Sequence, residues 1–498
     1  MSLPEISAAE QIGFPILSVL IFFPIVSAVI ATLVARDRLA RQLLLSVAVV
    51  ELVLAMILAV SFTPGTAAIQ FAERTPWIAT AGVGYHVGVD GISVLFVPLT
   101  AFVAVMVLLF SWNDVRLRPK SYFAALLALT GITIGIFAAL DLVLFFVFWE
   151  LVLVPSYLLL RLWGIGPQRA FAAVKYVMFM LVGSAPMLAG IVLLAVNHQT
   201  QTGRYSFDFL DLLTAPVPAR LQILVFFFLA FGLAIKAPLF PFHTWLPTAL
   251  MEGPVGIGMF LVGVKIGVYG FVRLPLPLVP DAAREWSWLM AVLGVVAILY
   301  GGLIALVQPN LRRLLAFASV SHVGLALLGV FSISTQGLQG ALLLLLNLGI
   351  VSTGLLFLAG ALHLRTGSSE LSAFGGVARS APLLGAFFFM IGLAAIGLPG
   401  TSGFPGEFLV LLGAFGAWRV LAAVAVLGVI IAAAYFLTYY QRAFLGSSAG
   451  QQPVPDLRVR ETALAAALTI LIFWIGLFPA PLLNVTSGSV QALVERVR

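Results

Sequence analysis

The sequence has no cysteine among its 498 residues. That excludes disulfides, thiol nucleophiles and thiolate-bound iron–sulfur clusters. Charge is almost as scarce: 9% of residues are Asp, Glu, Lys or Arg, against about 25% in an average soluble domain. Histidine occurs at positions 86, 198, 243, 322 and 363, with no metal-ligand spacing. There is no Walker A loop, and the glycines of AGVGYHVGVDG and GPVGIGMF follow no predicted strand, so neither is a dinucleotide fingerprint. No feature of this chain would carry electrons or hold a metal.

What fills the space left by charge is apolar: 62% of the residues are hydrophobic. The expected class is an all-α polytopic membrane protein. About fourteen apolar segments are long enough to span, starting near residues 14, 43, 91, 121, 141, 171, 219, 250, 286, 311, 336, 383, 418 and 462. The acidic head MSLPEISAAEQ lacks the basic region of a cleavable signal. The net charge of +7 is no nucleic-acid signature, because most Lys and Arg fall in alternate loops, from Arg36, Arg38 and Arg41 through Arg116 and Lys120 to Arg458 and Arg460. By the positive-inside rule both termini belong on the non-cytoplasmic side. Between the second and third spans, FTPGTAAIQFAERTPWIATAGVGYHVGVDGIS alternates and turns like a small β-hairpin. Asp90 in VDG is placed to cap the next helix. The last span ends at FPAPLLNV, with no long amphipathic helix expected after it.

The few ionisable residues inside spans are the informative ones. Glu51 in VAVVELVLAM reads as a carboxyl with a local partner on a neighbouring helix. Glu150 sits mid-helix in FFVFWELVLVPSYLLLRLWG, Lys175 near the start of AFAAVKYVMFMLVG, and Lys265 in LVGVKIGVYG. Gly263 and Gly267, four apart, permit close helix packing there. Lys236 ends an apolar run just before KAPLFPFHTWLPTALMEGP, where Pro238, Pro241 and Pro247 forbid a continuous helical ladder. A second such place is IGLAAIGLPGTSGFPGEF, with Pro399, Pro405 and Glu407. Irregular backbone at membrane depth is tolerated only where it is buried in protein or lines a wet cavity. Matching interrupted helices in two halves point to an internal-repeat transporter, and five spans per repeat make the repeats inverted. The expected organisation is residues 1–120 with three spans and the hairpin, 121–273 and 286–440 as two five-helix repeats taking up and releasing the ion, and 441–498 as a closing span.

Glu150, Lys236, Lys265 and Glu407 could be structural ion pairs or a relay. Composition favours the relay. The chain has 22 Arg but only four Lys, and three of those Lys lie in or beside spans. Strength alone would favour arginine's fixed fork, but arginine cannot release its proton, whereas a desolvated lysine can. The scheme that follows pairs Glu150 with Lys236, then passes a proton through Lys265 or His322 to Glu407. His322 reads equally well as a structural hydrogen-bonder.

At these residues the chain resembles a known family. FWELVLVPSYLLLRLWG, KAPLFPFHTWLP, NLRRLLAFASVSHVGLALLG and GLPGTSGFPGEF are similar to the antiporter-like subunits of proton-pumping NADH:quinone oxidoreductase, complex I, and most like the M type. The resemblance implies a fourteen-helix fold with two inverted repeats. It implies that Glu150, Lys236, Lys265 and Glu407 hold the family's proton-path positions and His322 its central histidine, with Lys175, His243, Pro238 and Pro399 in support. It also implies a bacterial inner membrane or equivalent, and partners of the L-, N-, K-, J-, A- and H-types. FMN, iron–sulfur clusters and quinone would lie in those and other subunits, with no cofactor in this chain and no nucleic acid as partner. Three departures stand out: Thr248 and Leu250 replace an expected Asp and His, the stretch to Lys265 is slightly short, and Leu348 replaces a second histidine beside Asn347. Alternatives are a paralogue in a multisubunit Na⁺/H⁺ antiporter, a membrane hydrogenase or a CO₂-uptake complex, and a structural spacer that no longer moves ions.

Overall fold

The computed structural model describes residues 3–34, 36–447 and 453–498. Helices dominate because an apolar slab leaves the backbone no other way to satisfy its N–H and C=O groups within one segment. In chain order the longer ones are α1 (Ile16–Leu33), α2 (Asp37–Ser61), α3 (Phe96–Ser111), α4 (Pro119–Ala138), α5 (Leu142–Leu151), α6 (Leu153–Trp163), α7 (Arg169–Thr202) and α8 (Ala219–Lys236). They continue with α9 (Trp245–Glu252), α10 (Val255–Gly263), α11 (Ile266–Arg273), α12 (Ser287–Leu306), α13 (Leu311–Phe331), α14 (Thr335–Thr366), α15 (Pro382–Ala395), α16 (Gly403–Ala417), α17 (Arg419–Tyr440), α18 (Val459–Leu477) and α19 (Ala480–Val497).

Twelve helices or joined helix pairs among the described residues are long and apolar enough to cross a membrane, so this is a multi-pass membrane protein. Three shorter apolar helices, α3, α15 and α16, stand beside them. The expected fourteen is reached only by counting α3 as one crossing and the interrupted pair α15–α16 as another. Burial orders the bundle. The apolar windows of α13 and α14 are 100% and 94% buried, whereas those of α2 and α17 are 33% buried. The former pair is therefore the centre, and α2 and α17 offer apolar faces outward.

The hairpin forms as the alternation predicts. Strand β1 (Glu5–Ser7) runs parallel to β2 (Ile69–Ile78), which pairs antiparallel with β3 (Val83–Val89). It closes one face of the bundle, opposite the basic loops. Its anchor is His86, whose Nδ1 lies 2.6 Å from Asp208 Oδ2. Arg74 Nη2 is 3.2 Å from the same oxygen. His86 Nε2 also lies 2.7 Å from Glu5 Oε1, a close approach without hydrogen-bond alignment.

Three expectations are corrected. An 18-residue helix, α19, follows the last span and packs on α14 at the hairpin face. Its mixed composition hid it from an apolar-window reading. Glu51 is 1% exposed, but neither carboxylate oxygen has a partner among the described residues. Asp90 does not cap α3, which begins at Phe96 behind Leu95; its carboxylate accepts from the backbone N–H groups of Ile92 and Ser93 in the preceding turn and takes a bidentate pair from buried Arg273 at 2.9 and 2.6 Å. Cross-chain partners of that kind leave no local sequence pattern.

Burial alone would push the Asp208 carboxyl up, but the His86 hydrogen bond and the charges of His86 and Arg74 outweigh it and hold the group below the ordinary carboxylate range. A carboxyl held low contributes stability that is full above its unfolded value of about 3.9 and lost as pH falls through the lower folded value. Acid-protease cleavage within residues 69–89 should therefore stay slow near pH 5 and accelerate below about pH 4. Asp208→Asn should speed it already at pH 5, by loss of about 1–3 kcal/mol. Equal cleavage of both proteins at pH 5 would contradict the anchor.

Candidate functional site

The site is a row of helix interruptions at mid-depth, and each begins with backbone chemistry. At the first, α8 ends at Lys236 and residues 237–241 are irregular before α9. Pro238 has no N–H for the Ala234 carbonyl, and the Leu239 N–H takes it instead at 3.0 Å. That shift leaves the Ile235 carbonyl, which accepts the Trp245 indole N–H at 2.8 Å. Lys236, 8% exposed, donates to the Trp149 carbonyl at 2.8 Å and lies 3.9 Å above the Trp149 ring.

This corrects the expected ion pair. No ion pair within 4.0 Å joins Lys236 to Glu150, and Glu150 Oε1 is buried without a hydrogen-bond partner. Successive helical residues point about 100° apart, and α8 approaches α5 on the Trp149 side. Glu150 is one residue away in sequence and a quarter-turn away in space. Pro155 frees the carbonyl of Leu151 from the helical ladder just beyond, where α5 gives way to α6 at Val152.

Lys175 and His243 do gather at this break. Lys175 Nζ donates to the Thr244 carbonyl at 2.9 Å and to Thr248 Oγ1 at 3.0 Å. His243 is buried among Phe240, Tyr300 and Phe317, with its Nδ1 unpartnered.

The second interruption carries no proline and was not expected. Helix α10 stops at Gly263, Val264 and Lys265 leave the helical ladder, and α11 starts at Ile266. Lys265, 6% exposed, donates to Ser319 Oγ on α13 at 2.5 Å. Gly267 explains how α11 meets the first break: a Cβ there would stand 2.4 Å from Ala237 N. The two interruptions thus touch through bare backbone.

The third lies at residues 396–402, between α15 and α16. Pro399 is four residues beyond Ala395 and has no N–H to offer its carbonyl. His322 takes that place: Nε2 lies 2.8 Å from the Ala395 carbonyl and Nδ1 2.7 Å from the Ala318 carbonyl. Both partners are acceptors, and only the doubly protonated ring donates to both. Glu407 Oε1 lies 3.9 Å from His322 Nε2, so the carboxyl and the ring face each other without a direct hydrogen bond. Gly397, at φ +66°, is bare for a reason, since a Cβ would stand 2.1 Å from Glu407 Oε2. Ser402 Oγ donates to Asn347 Oδ1 at 2.6 Å.

His322 also separates two small cavities. One of about 30 Å³ touches Ser319, His322 and Leu348; another of about 10 Å³ touches His322, Ser321 and Glu407. A cavity needs roughly 10–15 Å³ of this kind to hold a water, so the first admits one or two and the second is marginal. The structure thus sets Lys265 on Ser319 and His322 beside Glu407, with Ser319 and His322 lining one cavity; Ser319 is the member the sequence did not single out. Leu250 and Leu348 are buried at 1% and 2% exposure, so the positions without histidine are apolar.

Comparison with known proteins fits this geometry. The family model described as "NADH:quinone oxidoreductase/Mrp antiporter, TM" matches residues 139–432. Subunit M of the NADH-quinone oxidoreductase of Rickettsia conorii is 36% identical, across 98% of this chain and all of that one. A chain of respiratory complex I from Thermus thermophilus superposes with a TM-score of 0.89 at 35% identity, over 97% of this chain and 100% of that one. A chain of the Mrp complex from Dietzia shares the fold, with a TM-score of 0.85 at 23% identity, over 97% and 99% of the two chains.

Gly267→Ala should force α11 off the first break, costing about 1–3 kcal/mol by overpacking, and lower the thermal midpoint of the purified protein. Gly416→Ala, where an added Cβ meets nothing within 4 Å, should leave it unchanged or raise it. Equal midpoints for both variants would refute the tight junction. With the matched family model covering more than half its length, the chain belongs to the NADH:quinone oxidoreductase/Mrp antiporter transmembrane family, among the subunit M members of NADH-quinone oxidoreductase.

Proposed function

We propose that this chain moves protons across the membrane as a subunit of a complex I type NADH (or ferredoxin):quinone oxidoreductase. It takes no part in electron transfer itself. The flavin, iron–sulfur clusters and quinone belong to partner subunits, and the L-, N-, K-, J-, A- and H-type membrane subunits are its neighbours. The membrane is the bacterial inner membrane or its equivalent, with both termini on the non-cytoplasmic side and the basic loops on the other.

The single observation that carries the reading is the contiguous set at the second and third interruptions: Lys265 on Ser319 at 2.5 Å and His322 with Glu407 at 3.9 Å. Every member except Ser319 can gain and lose a proton, and a serine hydroxyl both donates and accepts. A proton taken up by residues 121–273 reaches Lys236, passes to Lys265 across the junction at Gly267, and moves through Ser319 to His322. It then passes to Glu407 and leaves through residues 286–440.

Lys236 is held on a carbonyl and an indole face rather than on a carboxylate. Glu150, unpartnered and next in sequence to Trp149, is the group a small rotation of α5 would bring to it. The switch in this reading is the making and breaking of that pair.

A tagged purification in mild detergent, with mass spectrometry and a quinone-reductase assay, should return flavin and iron–sulfur subunits. Recovery of antiporter-like or carbonic-anhydrase-like partners alone would move the chain to a paralogous complex. In sealed vesicles of the assembled enzyme, Lys236→Met should lower protons moved per electron. An unchanged ratio at full electron flux would sink the relay.

A further inference from the structure

The row described above runs along the mid-plane and leaves open where water reaches its second half. Two phenols on α17 bear on this. Tyr435 and Tyr439 are each 3% exposed, and neither hydroxyl has a hydrogen-bond partner among the described residues. They are four residues apart, one above the other on one helix face. Both line the cavity of about 30 Å³ that Ser319 and His322 also line.

A buried, unpaired hydroxyl costs about 1–3 kcal/mol, and two such phenols lining one water-sized space favour its hydration. The direction of this space is set by the helices around it. On α13 its lining runs from Leu311, at the helix start beside Arg312, to His322. Those eleven steps of about 1.5 Å are roughly half the apolar thickness of a bilayer. Tyr439 lies near the end of α17, close to Arg442 in the same basic-loop layer, and within electrostatic reach of Glu370 there. Tyr435, a turn deeper, is within electrostatic reach of Glu407.

We propose that Tyr439 and Tyr435 form a second proton intake, from the basic-loop face directly to His322 and Glu407, bypassing Glu150, Lys236 and Lys265. Each phenol accepts a proton at its oxygen from water on the loop side and releases its own to water on the histidine side, so it ends unchanged and no charge is stored. The proposal rests on the proton-moving reading of the site, and it gives the second repeat its own supply. Apolar walls such as Leu314 and Leu315 make this column narrow and interruptible.

The natural absence of cysteine supplies a test independent of pumping. Leu314→Cys and Ser352→Cys, both lining the column, are placed in the assembled complex in sealed vesicles. A small water-soluble methanethiosulfonate is applied to one face at a time, and this chain's mass is read. Modification from the basic-loop face and not from the hairpin face is expected. No modification, or modification from the hairpin face, overturns the proposal.

The second readout is protons moved per electron. Tyr435→Phe with Tyr439→Phe should lower it by the share this intake supplies. Tyr440→Phe, on the same helix but bonded to the Gly385 carbonyl, should not. An unchanged ratio in the double variant also overturns the proposal, and leaves the central row standing if Lys236→Met has lowered the ratio. A purely structural phenol pair would alter stability without altering that ratio.

Discussion

In an apolar slab every backbone carbonyl must find a donor inside the protein. Among the described residues, the interruptions after Lys236 and before Pro399 each leave a displaced carbonyl that meets a side chain able to hold a proton or hydrogen-bond one. Pro399 leaves the Ala395 carbonyl open, and His322 occupies it. The first break leaves the Ile235 carbonyl to Trp245, while Lys236 settles on the carbonyl of Trp149. At the third break the freed carbonyl is itself the anchor of the ionisable His322.

The same constraint accounts for the choice of lysine. An arginine at 236 or 265 would satisfy carbonyls with more donors and hold them permanently. Lysine has a compact head that one carbonyl or one hydroxyl can hold and then release. The interruption at Lys265 lets its ammonium reach Ser319 on α13. The contact of Gly267 with residue 237 keeps the first and second interruptions in one piece of backbone.

Much of this was legible in the sequence, because prolines at 238, 241 and 399 announce breaks and isolated charges in apolar runs announce sites. The hairpin was legible from its alternation. What escaped depended on contacts across the fold. The Lys265 interruption has no proline to mark it. The Glu150–Lys236 pair followed from charge complementarity alone, but the quarter-turn between Trp149 and Glu150 depends on how α8 approaches α5. Ser319, Tyr435 and Tyr439 look like ordinary core residues until His322 is seen among them. Helix α19 was hidden by its mixed composition, and α3 and the halves α15 and α16 fall short of a full-length apolar helix, which makes the number of crossings depend on how they are counted.

The most direct measurement of the central claim is the proton-to-electron ratio of the assembled enzyme carrying Lys265→Arg, in sealed vesicles at full quinone-reductase flux. The substitution keeps the positive charge and a donor for Ser319 but removes the ability to give up a proton. A relay through Lys265 predicts a lowered ratio. A ratio equal to that of the unmodified enzyme would show that position 265 needs only a charge, and the row would then be structural.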